Sequence, residues 1–282
     1  MRVLVTGGAG NVAGWLARTA PDGVELHLTE HITPVPAAVR GAATVHVLDL
    51  LDVPVVDGLL DLVRPHVVVH AAYAPDRRDA VVDATANLAR AAASIGSSLM
   101  HLSTDVVFAG DAPPYTEDAS PDPITDYGSW KAEAEEVVRS VVSDACITRT
   151  SLVPSLGPLG PLDRATAALV AGLSGGRPVT LFADEMRQPI RAADLALEMW
   201  AMVALDRDER SGVWHLPGPE HLSRHGIGLR IAGALGLDPA GIIAGRSTDQ
   251  VSRRPLDPRM LGTRRNRLGV APLPFDRPVS AP

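Results

Sequence analysis

The chain has 282 residues, 46% of them hydrophobic and 21% charged, and a formal net charge of −7. That length leaves room for one large or two closely joined domains with a sizeable core. An acidic balance without any basic cluster argues against nucleic acid or an anionic membrane as partner, and there is no apolar run of roughly 18 residues to span a bilayer.

"RVLVT" (2–6) reads as the first strand. No basic, apolar leader stands ahead of it, so no targeting peptide is visible and cytoplasm is the expected compartment. The strand runs into "TGGAGNVAG" and then an apolar helix over 11–20, the context in which a glycine-rich turn cradles a pyrophosphate. Gly7 allows the tight turn and Gly10 lets the backbone approach the phosphates, while the helix opening at Asn11 and Val12 supplies amide donors. Ala13, with Gly14 beside it, fills the third glycine position.

"VELHLT" (24–29) is the second strand, and Glu30 at its end is the acid expected to hold a ribose hydroxyl. Glu30 favours NAD, whereas His31 and Arg40 can accommodate a 2′-phosphate, so the choice between NAD and NADP stays open. "TVHVL" (44–48) follows. Asp49 in "LDLLD" is placed to reach the adenine edge, or else to cap a following helix. "HVVVH" (66–70), a helix over 79–95, "LMHLS" (99–103), a helix over 127–140 and "ACITRTS" (145–151) complete the first part. Cys146, the single cysteine, lies in that last strand as a buried thiol, excludes an internal disulfide framework and fits a reducing compartment.

Beyond residue 154 the pattern loosens. "PSLGPLGP" is a loop, 163–173 a helix, 179–182 a strand, 192–205 a helix and 212–216 a strand. This alternation predicts an α/β class, a Rossmann-type doubly wound parallel sheet with a smaller interleaved C-terminal α/β substrate region. Residues 1–156, joined by 186–218, are expected to form the NAD(P)-binding domain, and 157–185 with 219–282 the substrate-binding region.

"YGSWK" (127–131) holds the only lysine among 26 Lys plus Arg. On a helix Tyr127 and Lys131 share a face. A phenol is a poor acid–base catalyst at neutral pH unless its anion is stabilised, and an ammonium one turn away is expected to lower its pKa. A chain that elsewhere uses arginine keeps lysine where a compact ammonium on a flexible stem is required.

In this order, "TGGAGNVAG", "LDLLD", "HLSTDVVFAGD", "YGSWK" and "RTSLV" resemble the extended short-chain dehydrogenase/reductases. "STDVVFAG" with "DEMRQPIRAADLA" resembles their dTDP-4-dehydrorhamnose reductase branch and related sugar-nucleotide-binding proteins, over residues 1 to about 200, and "RRPLD" (253–257) is compatible. The resemblance implies a catalytic triad of Thr104, Tyr127 and Lys131 in an NAD(P)H-dependent reductase of a 4-keto-deoxysugar nucleotide. Hydride comes from the nicotinamide and a proton from Tyr127, Thr104 binds the reacting oxygen, and Lys131 reaches the nicotinamide ribose. It also implies cofactor contacts at Leu50, Ala71 and Ala72, and substrate contacts at Thr104, Asp105, Arg187, Gln188 and Arg254, with Arg253 comparable. Two other readings remain: an epimerase or dehydratase with tightly held NAD, and a non-catalytic cofactor-binding regulatory subunit. Trp130 is expected in helix packing or the interface of a homodimer.

Val81 stands where many relatives have asparagine, and "VPSLGPLG" replaces the tyrosine–glycine that often follows "RTSLV". The proline-rich loop 110–126 is a candidate wall of the site, with Tyr115 and Glu117 as contacts. His66 with His70, and His221 with His225, lack the pattern of a metal site, and none is expected. No GxSxG elbow supports a serine hydrolase.

Overall fold

In a computed structural model of the chain, residues 1–157, 161–251 and 253–279 are described. Pro158, Leu159 and Gly160 of the "PSLGPLGP" loop therefore lie outside the described residues. Strands β1 (Arg2–Thr6), β2 (Glu25–Glu30), β3 (Thr44–Val47), β4 (Val67–His70), β5 (Ser98–Thr104) and β6 (Cys146–Thr150) follow the sequence-based expectation closely. Downstream come β7 (Val179–Phe182), β8 (Met186–Arg187), β9 (Gly212–Leu216), β10 (Leu222–Ser223) and β11 (Ile242–Gly245). Seven of them form one sheet in the order β3-β2-β1-β4-β5-β6-β9, with every pairing parallel. Such a sheet is covered on both faces, which is why β1 and β4 are runs of buried valine and leucine. The Rossmann-type architecture follows from this strand order.

The helices are α1 (Asn11–Arg18), α2 (Ala37–Arg40), α3 (Val53–Val63), α4 (Arg78–Val81), α5 (Asp83–Ser94) and α6 (Asp126–Val141), then α7 (Arg164–Ser174), α8 (Ala192–Ala204), α9 (Arg207–Arg210) and α10 (Arg224–Ala234). On one face α1 packs against α8, where the Trp200 indole donates to Leu16 O at 3.0 Å. On the other face Val56, Leu60, Leu88 and Val138, from α3, α5 and α6, close over Leu4, Val68 and Leu99. Burying each such side chain contributes about 1.5–3 kcal/mol.

Four helices were not anticipated, the one-turn α2 and α9 and the longer α3 and α10, and the single helix expected over 79–95 is divided at Val82 into α4 and α5. Residues 192–216 supply α8 and β9 to the main sheet, whereas β8 pairs antiparallel with β10. The parallel pair β7–β11 packs with α7 and α10 around Leu169, Ile227, Ile231 and Phe275 to form the smaller C-terminal layer. Among the described residues no helix is long and apolar enough to cross a membrane.

Candidate active site

The chain leaves β1 toward β2 on one side and continues from β4 to β5 on the other, so the carboxyl ends of β1 and β4 open a crevice at the point where strand order reverses. Gly7 sits there with φ +74°, and a Cβ on it would lie 2.8 Å from Ala72 Cα. That residue must be glycine both for its left-handed backbone and for its closeness to the β4 turn. Gly10 N donates to Gly7 O at 2.8 Å and Gly10 caps α1. Among the described residues the buried Asn11 Nδ2 amide has no hydrogen-bond partner. An open helix N-terminus, a turn that no side chain fills and an orphaned donor together fit the diphosphate of a dinucleotide.

Two adjoining cavities of about 450 and 420 Å³ meet at this turn. Gly7, Gly10, Asn11 and Val12 line the first, and Glu30, Asp49 and Leu50 line the second. Ala71 and Ala72 line both. Glu30 accepts from Val35 N at 2.7 Å and lies 3.6 Å from Arg40, and Asp49 accepts from Leu51 N at 2.9 Å. Asp49 thus turns its own loop, while Asp52 caps α3 through Val55 N.

Helix α6 enters the cleft at Tyr127, its first turn capped by Thr125, which accepts from Gly128 N at 3.1 Å. Tyr127, Lys131 and Glu135 follow at four-residue spacing and so share one face. Glu135 is fully buried and accepts from Ser103 Oγ at 2.6 Å, Arg149 at 2.7 Å and Arg139 at 3.0 Å. That anchor fixes how deep α6 sits against β5 and β6. Removing one partner of such a pair costs about 3–5 kcal/mol.

Lys131 Nζ donates to Leu102 O at 2.7 Å and to His101 Nε2 at 3.0 Å. Burial lowers its pKa to about 8, with Glu135 pulling the other way. The Tyr127 pKa is raised, first by burial and then by Tyr73 and Asp105. The net lowering expected of the phenol's pKa is therefore not found, because desolvation dominates at the phenol. Thr104 lines the first cavity, with its hydroxyl 3.2 Å from Asp105 Oδ1 and accepting from Val106 N at 3.3 Å. Behind the site His70 is held between Thr6 at 2.7 Å and Thr85 at 3.0 Å, and its pKa falls to about 3 through burial and then the charge of Lys131.

A family model described as the RmlD substrate binding domain matches residues 1–277. The chain belongs to this family. Among curated proteins it is similar to methionine adenosyltransferase 2 subunit beta of Xenopus laevis, 27% identical over 79% of this chain and 71% of that one. It is likewise similar to dTDP-4-dehydrorhamnose reductase of Streptomyces griseus, 29% identical over 81% of this chain and 78% of that one. A solved dTDP-4-dehydrorhamnose reductase from Bacillus anthracis in complex with NADP superposes with a TM-score of 0.79 at 20% identity, covering 98% of this chain and 95% of that one.

In this member of the RmlD family the expected substrate contacts are mostly displaced. Asp105 is buried beneath the cleft, accepting from Ser151 Oγ at 2.5 Å, and burial raises its pKa. Arg187 is buried as well, paired with Glu185 at 2.9 Å and donating to Pro255 O at 2.9 Å. Gln188 accepts from Met260 N at 2.8 Å and donates its backbone N–H to Ser151 Oγ at 3.1 Å. Arg254 lies over the Phe182 ring at 5.6 Å, and neither it nor Arg253 lines the cavities. Asp105, Arg187 and Gln188 thus spend their polar groups inside the protein, and like Arg254 none of them lines the cavities. Of the residues expected to meet substrate, Thr104 alone lines the cleft.

Arg224, which sequence reasoning missed, does face it. This side chain opens α10, has no hydrogen-bond partner among the described residues, and finds its nearest carboxylate, Glu185, only at 3.9 Å. Around it the wall is apolar, from Leu162, Leu169, Leu181, Ile227 and Ile231. Tyr73 was missed too; it lines both cavities, its ring centroid 6.2 Å from that of Tyr127. No sequence signal separates Arg224 from the other 24 arginines.

The loop residues serve scaffolding instead of walling the site. The Tyr115 hydroxyl accepts from Gly110 N at 3.1 Å, and Glu117 accepts from Thr263 N at 2.9 Å. Trp130 packs with Tyr127 against Val81, Val82 and Ala134. His66 accepts from Arg2 N at 3.0 Å and His221 pairs with Asp257 at 2.9 Å. Among the described residues no group of three His, Cys, Asp or Glu could hold a metal. Burial pushes the Cys146 thiol up to about 12.

Proposed function

We propose that the protein is an NAD(P)-dependent oxidoreductase that reduces the keto group of a 4-keto-deoxysugar nucleotide. The carrying observation is that the fold brings Tyr127 and Lys131, at one-turn spacing on α6, to the cleft lined by the glycine turn. The nicotinamide cofactor, when bound, supplies the hydride. Tyr127 gives the carbonyl oxygen its proton, and a raised pKa keeps the phenol in the protonated form that can donate. Lys131 offers the phenolate a nearby positive charge as that proton leaves, Thr104 orients the carbonyl, and Arg224 meets the anionic part of the substrate. Gly7, Gly10 and Asn11 hold the diphosphate of the cofactor, while Glu30 and Asp49 border the adenosine side. Residues 1–156 with 192–218 serve cofactor binding, and the C-terminal layer serves the substrate.

The test is oxidation of NADH and of NADPH by the purified protein with dTDP-4-dehydrorhamnose, read as loss of reduced-nicotinamide absorbance. Turnover that falls about 10²–10⁴-fold in Tyr127→Phe, and is lost also in Lys131→Arg, supports the reading and names the cofactor. Tight retention of NAD with no net consumption points instead to an epimerase or dehydratase.

A second reading, a cofactor-binding subunit that acts through a partner protein, is favoured by the likeness to methionine adenosyltransferase 2 subunit beta. Its outcome would be cofactor binding without turnover on any 4-keto sugar nucleotide, together with a stable complex with another protein.

A further inference from the structure

Position 101 lies buried within a parallel sheet, where an apolar side chain is the ordinary occupant. Leu99 and Met100 beside it obey that rule, yet position 101 holds an imidazole whose Nδ1 finds no partner among the described residues. A buried N–H left unpaired costs stability, so packing alone does not account for the histidine. Its other nitrogen does. Nε2 lies 3.0 Å from Lys131 Nζ, whose next donor goes to Leu102 O at 2.7 Å. An ammonium only donates, so Nε2 presents its lone pair and the ring proton sits on Nδ1. Burial, then Lys131 and His70, hold His101 well below its ordinary pKa, which keeps that lone pair available at neutral pH.

We propose that His101 is a positioning residue for Lys131, an acceptor that together with Leu102 O fixes the ammonium on the sheet side of the cleft and leaves its third donor for the cofactor ribose. Only the last clause rests on the nicotinamide-dependent reading above. The pairing also accounts for the sole lysine. One ammonium nitrogen donates to both acceptors and keeps a third N–H for the cleft, whereas a guanidinium nitrogen carries at most two N–H groups, both in the guanidinium plane.

The other groups that bear on this pair are few. Glu135 of α6 opposes the effect of burial on Lys131, but Ser103, Arg149 and Arg139 already engage it. From β4 comes His70, its ring centroid 5.4 Å from that of His101. Tyr127 shares the helix face with Lys131, and Tyr73 and Asp105 act on its phenol. Helices α4 and α5 present Val81, Val82 and Thr85, which carry no charge.

Because Lys131 is the only lysine, protein grown on ¹⁵Nζ-labelled lysine gives a single side-chain amine signal that reads its titration directly by NMR. The wild-type midpoint is expected near pH 8. His101→Leu should lower it by about one pH unit, the worth of one hydrogen bond to a charged group. His101→Gln, whose side-chain carbonyl can accept, should stay close to wild type, and the alkaline limb of turnover should move with the midpoint in each variant. Should the leucine variant fail to fold, His101→Met serves as the apolar replacement. Equal midpoints in all variants overturn the proposal, as does a glutamine variant that shifts as far as the apolar one. The titration needs no turnover, so a lack of reductase activity would sink the functional reading while leaving this result to stand or fall alone.

Discussion

The cofactor half of the cleft takes its shape from backbone, with Gly7 at φ +74° and Gly10 capping α1, whereas the substrate half is walled by side chains from α7, β7 and α10. The first is fixed by local geometry that a short stretch of chain encodes. The second depends on which of many charged groups is left without a side-chain hydrogen bond among the described residues after the fold has closed, and Arg187 and Arg224 show the difference. Both are arginines of the C-terminal half, yet one is spent on Glu185 at 2.9 Å and the other has its nearest carboxylate at 3.9 Å.

That contrast can be broken from either side. Gly7→Ala adds a Cβ 2.8 Å from Ala72 Cα and forces an alanine into the left-handed region. The strain of about 1–3 kcal/mol is expected to weaken NAD(P)H binding about 10–100-fold while leaving the affinity for the free nucleoside diphosphate unchanged, both read by calorimetry. A loss of both affinities would mean that the halves are not separable. Arg224→Met is expected to do the reverse and by less, raising KM for the sugar nucleotide about tenfold with cofactor affinity intact. An unchanged KM would remove Arg224 from substrate recognition.

The smallest effect concerns the residue between the halves. The Lys131 pKa falls from an ordinary 10.5 to about 8 on folding. Between those values the unfolded chain binds more protons than the native one, so stability rises with pH across that window. Lys131→Met should abolish that rise and raise Tm at neutral pH by a few degrees in thermal melts, even as turnover disappears. A lower Tm would show that its bonds to His101 and Leu102 outweigh the cost of its burial.

The same division governs what could be read from sequence. All seven strands of the main sheet were legible because strands buried on both faces are short apolar runs, and the glycine turn and the Tyr127–Lys131 pair were legible because fixed spacing carries them. Helix α10 was not, since Gly226, Gly228 and Gly233 depress its helix propensity. Gly228 is there for packing, because a Cβ would stand 2.0 Å from Leu181 Cδ1. Missing α10 meant missing Arg224. Helix α3 has a readable start in Asp52 followed by Pro54, three residues beyond the Asp49 expected as an alternative cap. His101, Glu135 and Arg149 carry no local mark, because their meaning arises only when β5, α6 and β6 come together.

Lys131, only 4% exposed, holds the molecule's one ε-amine, and the other permanently charged side-chain cations are guanidinium groups. Lysine-directed acylation or conjugation therefore has a single side-chain address, and it lies within the cleft. Apart from the Met1 α-amine the outer surface offers such chemistry no amine, and modification at residue 131 by a small amine-reactive reagent would report that the cleft has opened. A bound dinucleotide would shield that address, so the rate of acylation becomes a count of empty molecules in a population.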